Sequence, residues 1–460
     1  MLAKKIVIVG YSFAGRELEI ALQKAAPSGA LEITVVTAVK YTECTMGLTS
    51  VLARGDELAP LIREIEGPNG VGSTQASTTF VTGYAVSTDV SASTLTVKLP
   101  TGTDTQTLPY DVLVVATGVK YAGVRADLSG YEAADISAAA SATLGTSEQR
   151  IKEIDDFRTE HFVGKKNIVV VGGGPVGIET ALMLKESDSS RTVTLVHSRE
   201  GLLKGNVSFE HGGPAIEAKL RKSGVVLKLG VKASGDAPSV TLTAKDGSTT
   251  TLACDSVFKT GGGAPNTAFL DASLLDAKGL VLVDKFLHSP VDAKIFALGD
   301  VAATGLSQTA MTAAVNAPIL AANILATTKG EAASVPYTHV EAGAFTAITN
   351  MNDWGVLICS KGAFTDKCGT ACCFLNGWCG ACFIPQLICC PTVLVCKPCE
   401  GLGPAMFHKN YVKDSSVGLS ANTSILKGGM PPADAIGTGA ASHLSYPSIG
   451  GAPSSISMEC

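Results

Sequence analysis

Residues 168–179 read Ile-Val-Val-Val-Gly-Gly-Gly-Pro-Val-Gly-Ile-Glu, and this stretch constrains the fold more than any other. The β-branched run Ile168 to Val171 has the length and character of a buried parallel strand. It runs into Gly172-x-Gly174-x-x-Gly177, and the residues after Gly177 open a helix. Strand, glycine turn and helix in succession are the context that gives the motif meaning. Gly172 permits the tight turn, Gly174 lets backbone approach a pyrophosphate, and Gly177 lets helix pack on strand. Pro175 and Val176, within the motif, count with its glycines as candidate coenzyme-binding residues. Phosphates then sit at the helix N-terminus, where unpaired N–H groups and the dipole favour anions. The stretch therefore predicts dinucleotide binding.

A second such start lies at 6–15, where Gly10 and Gly15 hold the outer glycine positions, with Phe13 and Ala14 between. Ser12 replaces the middle glycine, and its Cβ crowds the place where backbone meets pyrophosphate. The next strand, Leu31 to Val36, ends in Thr37-Ala38 where a ribose-binding acid is expected. Residues 78–100 alternate apolar and polar and predict an antiparallel meander containing Ala85. A buried strand from Tyr110 closes on Ala116-Thr117-Gly118. After the central motif, Thr192 to Val196 ends at His197-Ser198-Arg199, again without an acid. Arg199 suits a 2′-phosphate, which leans the site toward NADPH over NADH. A strand then enters the glycine loop Gly261 to Asn266. Ile295 to Leu298 delivers Gly299-Asp300 ahead of an apolar helix at 308–327; taken alone, Asp300 reads as a helix cap.

In this order the motifs resemble the flavoprotein disulfide-reductase architecture. Within it the chain is similar to the apoptosis-inducing-factor-like, mitochondria-associated group that includes the ferroptosis suppressor protein family. The stretches that carry the resemblance are Leu108 to Gly118, Ile168 to Glu179 and Val193 to Arg199. It implies an α/β fold with two Rossmann-like dinucleotide-binding domains, each three-layered. The NAD(P)H domain (126–286) would be inserted in a split FAD domain (1–125 and 287–335). A small α+β C-terminal domain (336–414) would carry a Cys-rich apolar insertion (363–402), followed by a disordered tail at 415–460.

The resemblance also implies residue roles. Gly10 to Gly15 would face the FAD pyrophosphate, Ala85 its adenine end, and Thr117-Gly118 would close the site. Asp300 would bond the ribityl or phosphate region. Gly172 to Gly177 would hold NAD(P)H, with Glu179 near the nicotinamide. Thr49 stands where the family has an FAD-contacting arginine, and Gln308 where it has a lysine near the flavin ring. The implied activity is hydride transfer from NAD(P)H to FAD, then electron transfer to a quinone or another small acceptor. Two other readings stay open. One is a catalytically degenerate nucleotide-binding signalling flavoprotein; the other is a reductase of a protein or peroxide acceptor. No Cys-x₄-Cys pair follows the first strand–helix unit, which argues against dithiol chemistry. Cys44 is single, and the resemblance implies it as the candidate thiol for peroxide, since peroxide-reducing relatives carry one redox cysteine in about this region.

The formal net charge is −5, which gives no basic face for nucleic acid. Met1 to Lys5 lead directly into a strand, so the expected compartment is the cytosol. Of 13 cysteines, all but Cys44, Cys254 and Cys460 fall between Cys359 and Cys399, which argues against a global disulfide framework. Residues 368–396 contain no charged residue at all. Cys379-x₂-Cys382-x₁₃-Cys396-x₂-Cys399 has zinc-ribbon spacing, yet the loop within it is apolar. The same stretch suits an interfacial membrane hairpin with cysteines for S-acylation. An inert apolar insertion with reduced thiols is the third alternative.

Overall fold

A computed structural model describes residues 2–43, 45, 48–55, 62–67, 70, 72, 77–100, 104–121, 146–204, 213–260, 263–306, 308–337, 345–349, 354–359 and 372–376. Two parallel sheets organise them. The first is five-stranded, in the order Ile295–Ala297, Val112–Val115, Lys4–Val9, Leu31–Thr37, Thr78–Thr82. The second is four-stranded, in the order Val226–Leu229, Thr192–His197, Asn167–Val171, Ser256–Lys259. The chain completes the second sheet before returning to the first with Ile295–Ala297.

The alternation of strand side chains creates the layers. Along Lys4–Val9, Ile6 and Ile8 face the helices Phe13–Ala25 and Ala310–Thr328, packing with Leu18, Leu22, Ala317 and Leu320. Val7 and Val9 face the other way, onto Leu95, Val97 and Leu108 of an antiparallel meander. The second sheet repeats the scheme. Ile168 and Val170 pack on the helix side, while Val169 meets Val240 and Leu242 of the ribbon Lys232–Ser234, Ser239–Thr243, Thr249–Ala253.

Two expectations are corrected. Thr78–Thr82 belongs to the parallel sheet, and the meander is Tyr84–Asp89, Thr94–Lys98, Thr105–Pro109. The edge strand is half-exposed and so carries the same alternating pattern as a meander strand. Gly83 separates the two, its N–H donating to Thr37 O at 2.8 Å. Asp300 is not the cap of the helix that follows. That helix begins at Ala310, and Thr309 caps it, accepting from the Thr312 N–H at 3.1 Å.

The two sheet systems share apolar packing. Leu48, Val51, Leu52 and Ala53 of the short helix Leu48–Arg54 join one core with Ile178, Leu182 and Phe258 of the second unit. The helix Ser147–His161 closes over the same core through Ile154 and Phe157. Its Arg150 is buried and bidentate to Glu43, at 2.7 Å and 3.3 Å. Beyond residue 337, Phe345–Thr349, Trp354–Cys359 and Cys372–Asn376 form a three-stranded antiparallel sheet. The last of these strands lies within the Cys-rich insertion. Cys379, Cys382, Cys396 and Cys399 lie outside the described residues, as do 404–414 and the tail from 415. Among the described residues no helix is long and apolar enough to cross a membrane, and no side-chain group suits a metal ion.

Candidate functional site

Both glycine turns sit at the carboxyl ends of parallel strands, where ligands bind in open α/β sheets. In the first, Gly10 has φ +102°, and a Cβ there would lie 2.4 Å from Ala116 O. A Cβ on Gly15 would lie 1.9 Å from Gly10 O. These contacts bring the strand Val112–Val115, and so Ala116-Thr117-Gly118, beside the N-terminus of the helix Phe13–Ala25. Gly299 comes from the neighbouring strand end with φ +81°; a Cβ on it would meet Ala14 Cβ at 2.8 Å. Asp300 is therefore carried to the same helix terminus. Gln308 Nε2 donates to Asp300 O at 2.8 Å, which holds the amide near that strand end.

The adenosine half is built differently. Thr37 is buried, and its hydroxyl donates to Val39 O at 2.9 Å. Ala85 is half-buried, two residues beyond the Gly83 N–H that bonds Thr37 O. Thr49 is buried within the helix Leu48–Arg54. Phe13 is half-buried and packs against the core shared with the second unit.

The second turn repeats the first. Gly172 has φ +128°, and a Cβ on Gly177 would lie 1.9 Å from Gly172 O and 2.8 Å from Thr260 Oγ1. Gly174 is the N-cap and Pro175 opens the helix Pro175–Ser187. Val176 accepts from the Thr180 hydroxyl at 2.7 Å through its carbonyl, and Glu179 lies half-buried one turn in. His197 ends the adjacent strand, and its Nδ1 accepts the Gly173 N–H at 3.1 Å. Arg199 is exposed just beyond Ser198 and donates to Lys204 O.

The helix ends differ in how their first N–H groups are capped. The helices Ser147–His161 and Ala310–Thr328 are capped by the side chains of Thr146 and Thr309. The two helices behind the glycine turns have no side-chain cap bond, at Ser12 or at Gly174. Their first N–H groups have no intrahelical acceptor either. A Cβ on Gly174 or Gly118 would meet nothing within 4 Å, so both glycines border open space. Uncapped donors beside open space suit a pyrophosphate at each turn.

The chain matches the Pyridine nucleotide-disulphide oxidoreductase family model over residues 4–317. It belongs to that family. It is 30% identical over 264 residues to the FAD-dependent oxidoreductase FVFD30 of Flammulina velutipes, covering 55% of this chain and 76% of that protein. It is 29% identical over 191 residues to Ferroptosis suppressor protein 1 of Xenopus tropicalis, covering 39% of this chain and half (50%) of that one. Its fold is similar to the sulfide:quinone oxidoreductase of Aquifex aeolicus, with TM-score 0.60, 19% identity and coverage of 77% and 83%. FAD and NAD(P)H are the cofactors of this family, and the protein is an oxidoreductase.

The linkage between the two sites was not visible in the sequence. Asn266 ends the second glycine loop and grips the first site: its Nδ2 donates to Thr117 O at 3.0 Å, and its N–H to Gly118 O at 3.1 Å. In return, the Thr117 hydroxyl donates to Asn266 O at 2.8 Å. Alongside, Val119–Tyr121 pairs antiparallel with Gly263–Pro265. An asparagine closing a glycine-rich loop was the available clue. Cys44 and Gly261 lie outside the described residues. Cys254 is buried, and burial pushes its thiol pKa up, which makes it an unreactive core residue.

Proposed function

We propose that this protein, within the apoptosis-inducing-factor-like group, oxidises NAD(P)H through FAD and delivers the electrons to a quinone. The carrying observation is the pair of uncapped glycine-turn helices, tied together by the Asn266–Thr117 clamp and a common core. Similarity to a ferroptosis suppressor protein and to a sulfide:quinone oxidoreductase supports the group and the acceptor. Bound FAD supplies a two-electron hydride acceptor that can be reoxidised by other carriers.

The chain's own residues bind and orient. Gly10 to Gly15 and the first turn of Phe13–Ala25 take the flavin pyrophosphate. Thr117-Gly118 and Asp300 flank it from adjacent strand ends. Thr49 and Gln308 would stand nearest the ring system, where an uncharged amide would stabilise negative charge less than a lysine. Gly172 to Gly177 take the coenzyme pyrophosphate, and Glu179 positions the nicotinamide. Ser198 and Arg199 favour NADPH, since an exposed guanidinium matches a 2′-phosphate and no acid stands at the strand end. Arg199→Ala is expected to raise the KM for NADPH roughly tenfold, on the order of one charge-assisted hydrogen bond, while leaving that for NADH unchanged.

The acceptor is tested by anaerobic turnover of the full chain with NADPH and a short-chain quinone. Quinone-dependent NADPH oxidation that persists in Cys44→Ser is expected. Turnover with peroxide alone, lost in Cys44→Ser, would support the peroxide reading instead. Coenzyme binding without turnover on either would support the signalling reading, which Ser12, Thr37 and Gln308 motivate.

We further propose that 368–396 contacts membrane, where a quinone is dissolved. Its apolar composition and clustered cysteines support this reading. Vesicle flotation of the full chain, with deletion of 363–402 as comparison, tests it. Stoichiometric zinc on the intact chain, with no flotation, would favour Cys379, Cys382, Cys396 and Cys399 as metal ligands.

A further inference from the structure

His197 stands at the strand end where a dinucleotide fold places its ribose-binding acid, and its ring is turned toward Gly173. A Cβ on Gly173 would lie 2.6 Å from His197 Cγ, so the imidazole lies directly beneath the glycine turn. Nδ1 accepts the Gly173 N–H at 3.1 Å, which makes the neutral Nε2–H tautomer the one that fits. Nε2 is buried and has no partner among the described residues. A buried ring nitrogen left unpaired is a cost, and it is tolerated here in order to keep an acceptor under Gly173. The bond acts at the segment that must approach the coenzyme: Gly173 lies between Gly172 and Gly174, and its own carbonyl accepts the Leu203 N–H at 2.8 Å.

We propose that His197 is a positioning residue for NAD(P)H: its neutral imidazole fixes the glycine turn by accepting the Gly173 N–H, and protonation releases the turn. The proposal rests on the family's coenzyme occupying Gly172 to Gly177. A protonated imidazole has no acceptor at Nδ1 and sets two donors, the ring N–H and the Gly173 N–H, against each other. Burial, and then the Arg199 charge, hold the His197 pKa below its ordinary value, so the ring is neutral near pH 7. The other charged groups around it are engaged or point outward. Glu217, from the helix Gly213–Lys222, accepts the Leu202 N–H; Glu200 pairs with Lys245; Lys228 and Lys204 are exposed. None is placed to replace the missing acceptor.

The sign follows from this arrangement. Coenzyme affinity is constant while Nδ1 is unprotonated and falls as pH drops through the lowered His197 pKa. The opposite electrostatic effect, a new positive charge attracting the pyrophosphate, would make affinity rise on acidification.

The test is a fluorescence titration of the FAD-loaded full chain with NADH across acid to neutral pH. NADH is the probe because it lacks the titrating 2′-phosphate of NADPH. Wild type is expected to lose affinity several-fold on acidification. His197→Asn places a non-titrating carbonyl oxygen where Nδ1 stands; it should keep neutral-pH affinity and flatten the acid slope. His197→Leu should weaken binding about tenfold at every pH, raising KM for coenzyme while kcat at saturation changes little. An acid slope unchanged in His197→Asn, or affinity that rises on acidification in wild type, would overturn the proposal. A flavin-loaded wild type that binds no coenzyme at any pH would overturn the coenzyme site itself, and is distinguishable from either result.

Discussion

At Gly174 and Gly177 two added methyl groups separate folding from binding. A Cβ at 177 collides with the Gly172 carbonyl, so the helix Pro175–Ser187 must move off its strand. A Cβ at 174 meets no protein atom and enters open space, where the proposed function puts the coenzyme pyrophosphate. Gly177→Ala should therefore lower both unfolding midpoint and coenzyme affinity. Gly174→Ala should keep the midpoint and lose coenzyme affinity at least tenfold, a difference read by thermal unfolding and NADH titration. Ser12 is the corresponding residue of the first turn, with a similar extended backbone, φ −94° against −86° at Gly174. Its Cβ occupies the matching place, so Ser12→Gly should tighten FAD retention, measured as flavin content after gel filtration. Gly177 was legible in the sequence because a backbone contact leaves room for no other residue, and Gly174 because of its place in the strand–turn–helix motif. His197, by contrast, was legible only as a missing acid. That its ring turns under Gly173 depends on the strand pairing 25 residues away in the chain, between Asn167–Val171 and Thr192–His197.

The helix Ser147–His161 shows what a single element contributes. Its core face, Ile154 and Phe157, covers the shared apolar cluster, while Arg150 reaches across to Glu43. The two side chains are 3% and 12% exposed, so removing Glu43 leaves the poorly solvated Arg150 with only its longer contact to Glu153 at 3.4 Å. Glu43→Gln should destabilise the protein by about 3 kcal/mol, seen as a lowered denaturant midpoint. Glu43→Gln combined with Arg150→Met should recover much of that loss, because no buried charge remains unpaired. Leu52→Ala in the facing helix Leu48–Arg54 should cost roughly 2–5 kcal/mol by opening a cavity. Ile151, Ile154 and Phe157 recur at helical spacing, and the structure places the helix at Ser147–His161. Its partner was not readable, because Glu43 lies over 100 residues earlier (|i−j| 107) and no local pattern joins them. Thr78–Thr82 was misread for a related reason. Alternation reports one exposed face, and an edge strand of a parallel sheet shares that property with a meander.

Across the whole molecule, two nucleotide-binding units are joined by the antiparallel pair Val119–Tyr121 and Gly263–Pro265, by the Asn266–Thr117 clamp, and by one apolar core. Each sheet was foreshadowed by its own strand–turn–helix motif, and the order of the motifs carried the resemblance to a split arrangement. The clamp arises only when the two linking segments lie side by side. Asn266→Ala removes the side-chain half of that clamp and should slow flavin reduction by coenzyme in stopped flow while leaving both affinities near wild type. The central claim is that the two sites bind FAD and NAD(P)H and exchange electrons. The most direct measurement is the visible spectrum of the purified full chain under anaerobic conditions, before and after one equivalent of NADPH or NADH. The expected result is a flavin spectrum that bleaches on addition and returns when a quinone is supplied. A colourless protein that added FAD does not restore, or a flavin spectrum that neither coenzyme bleaches, would contradict the account.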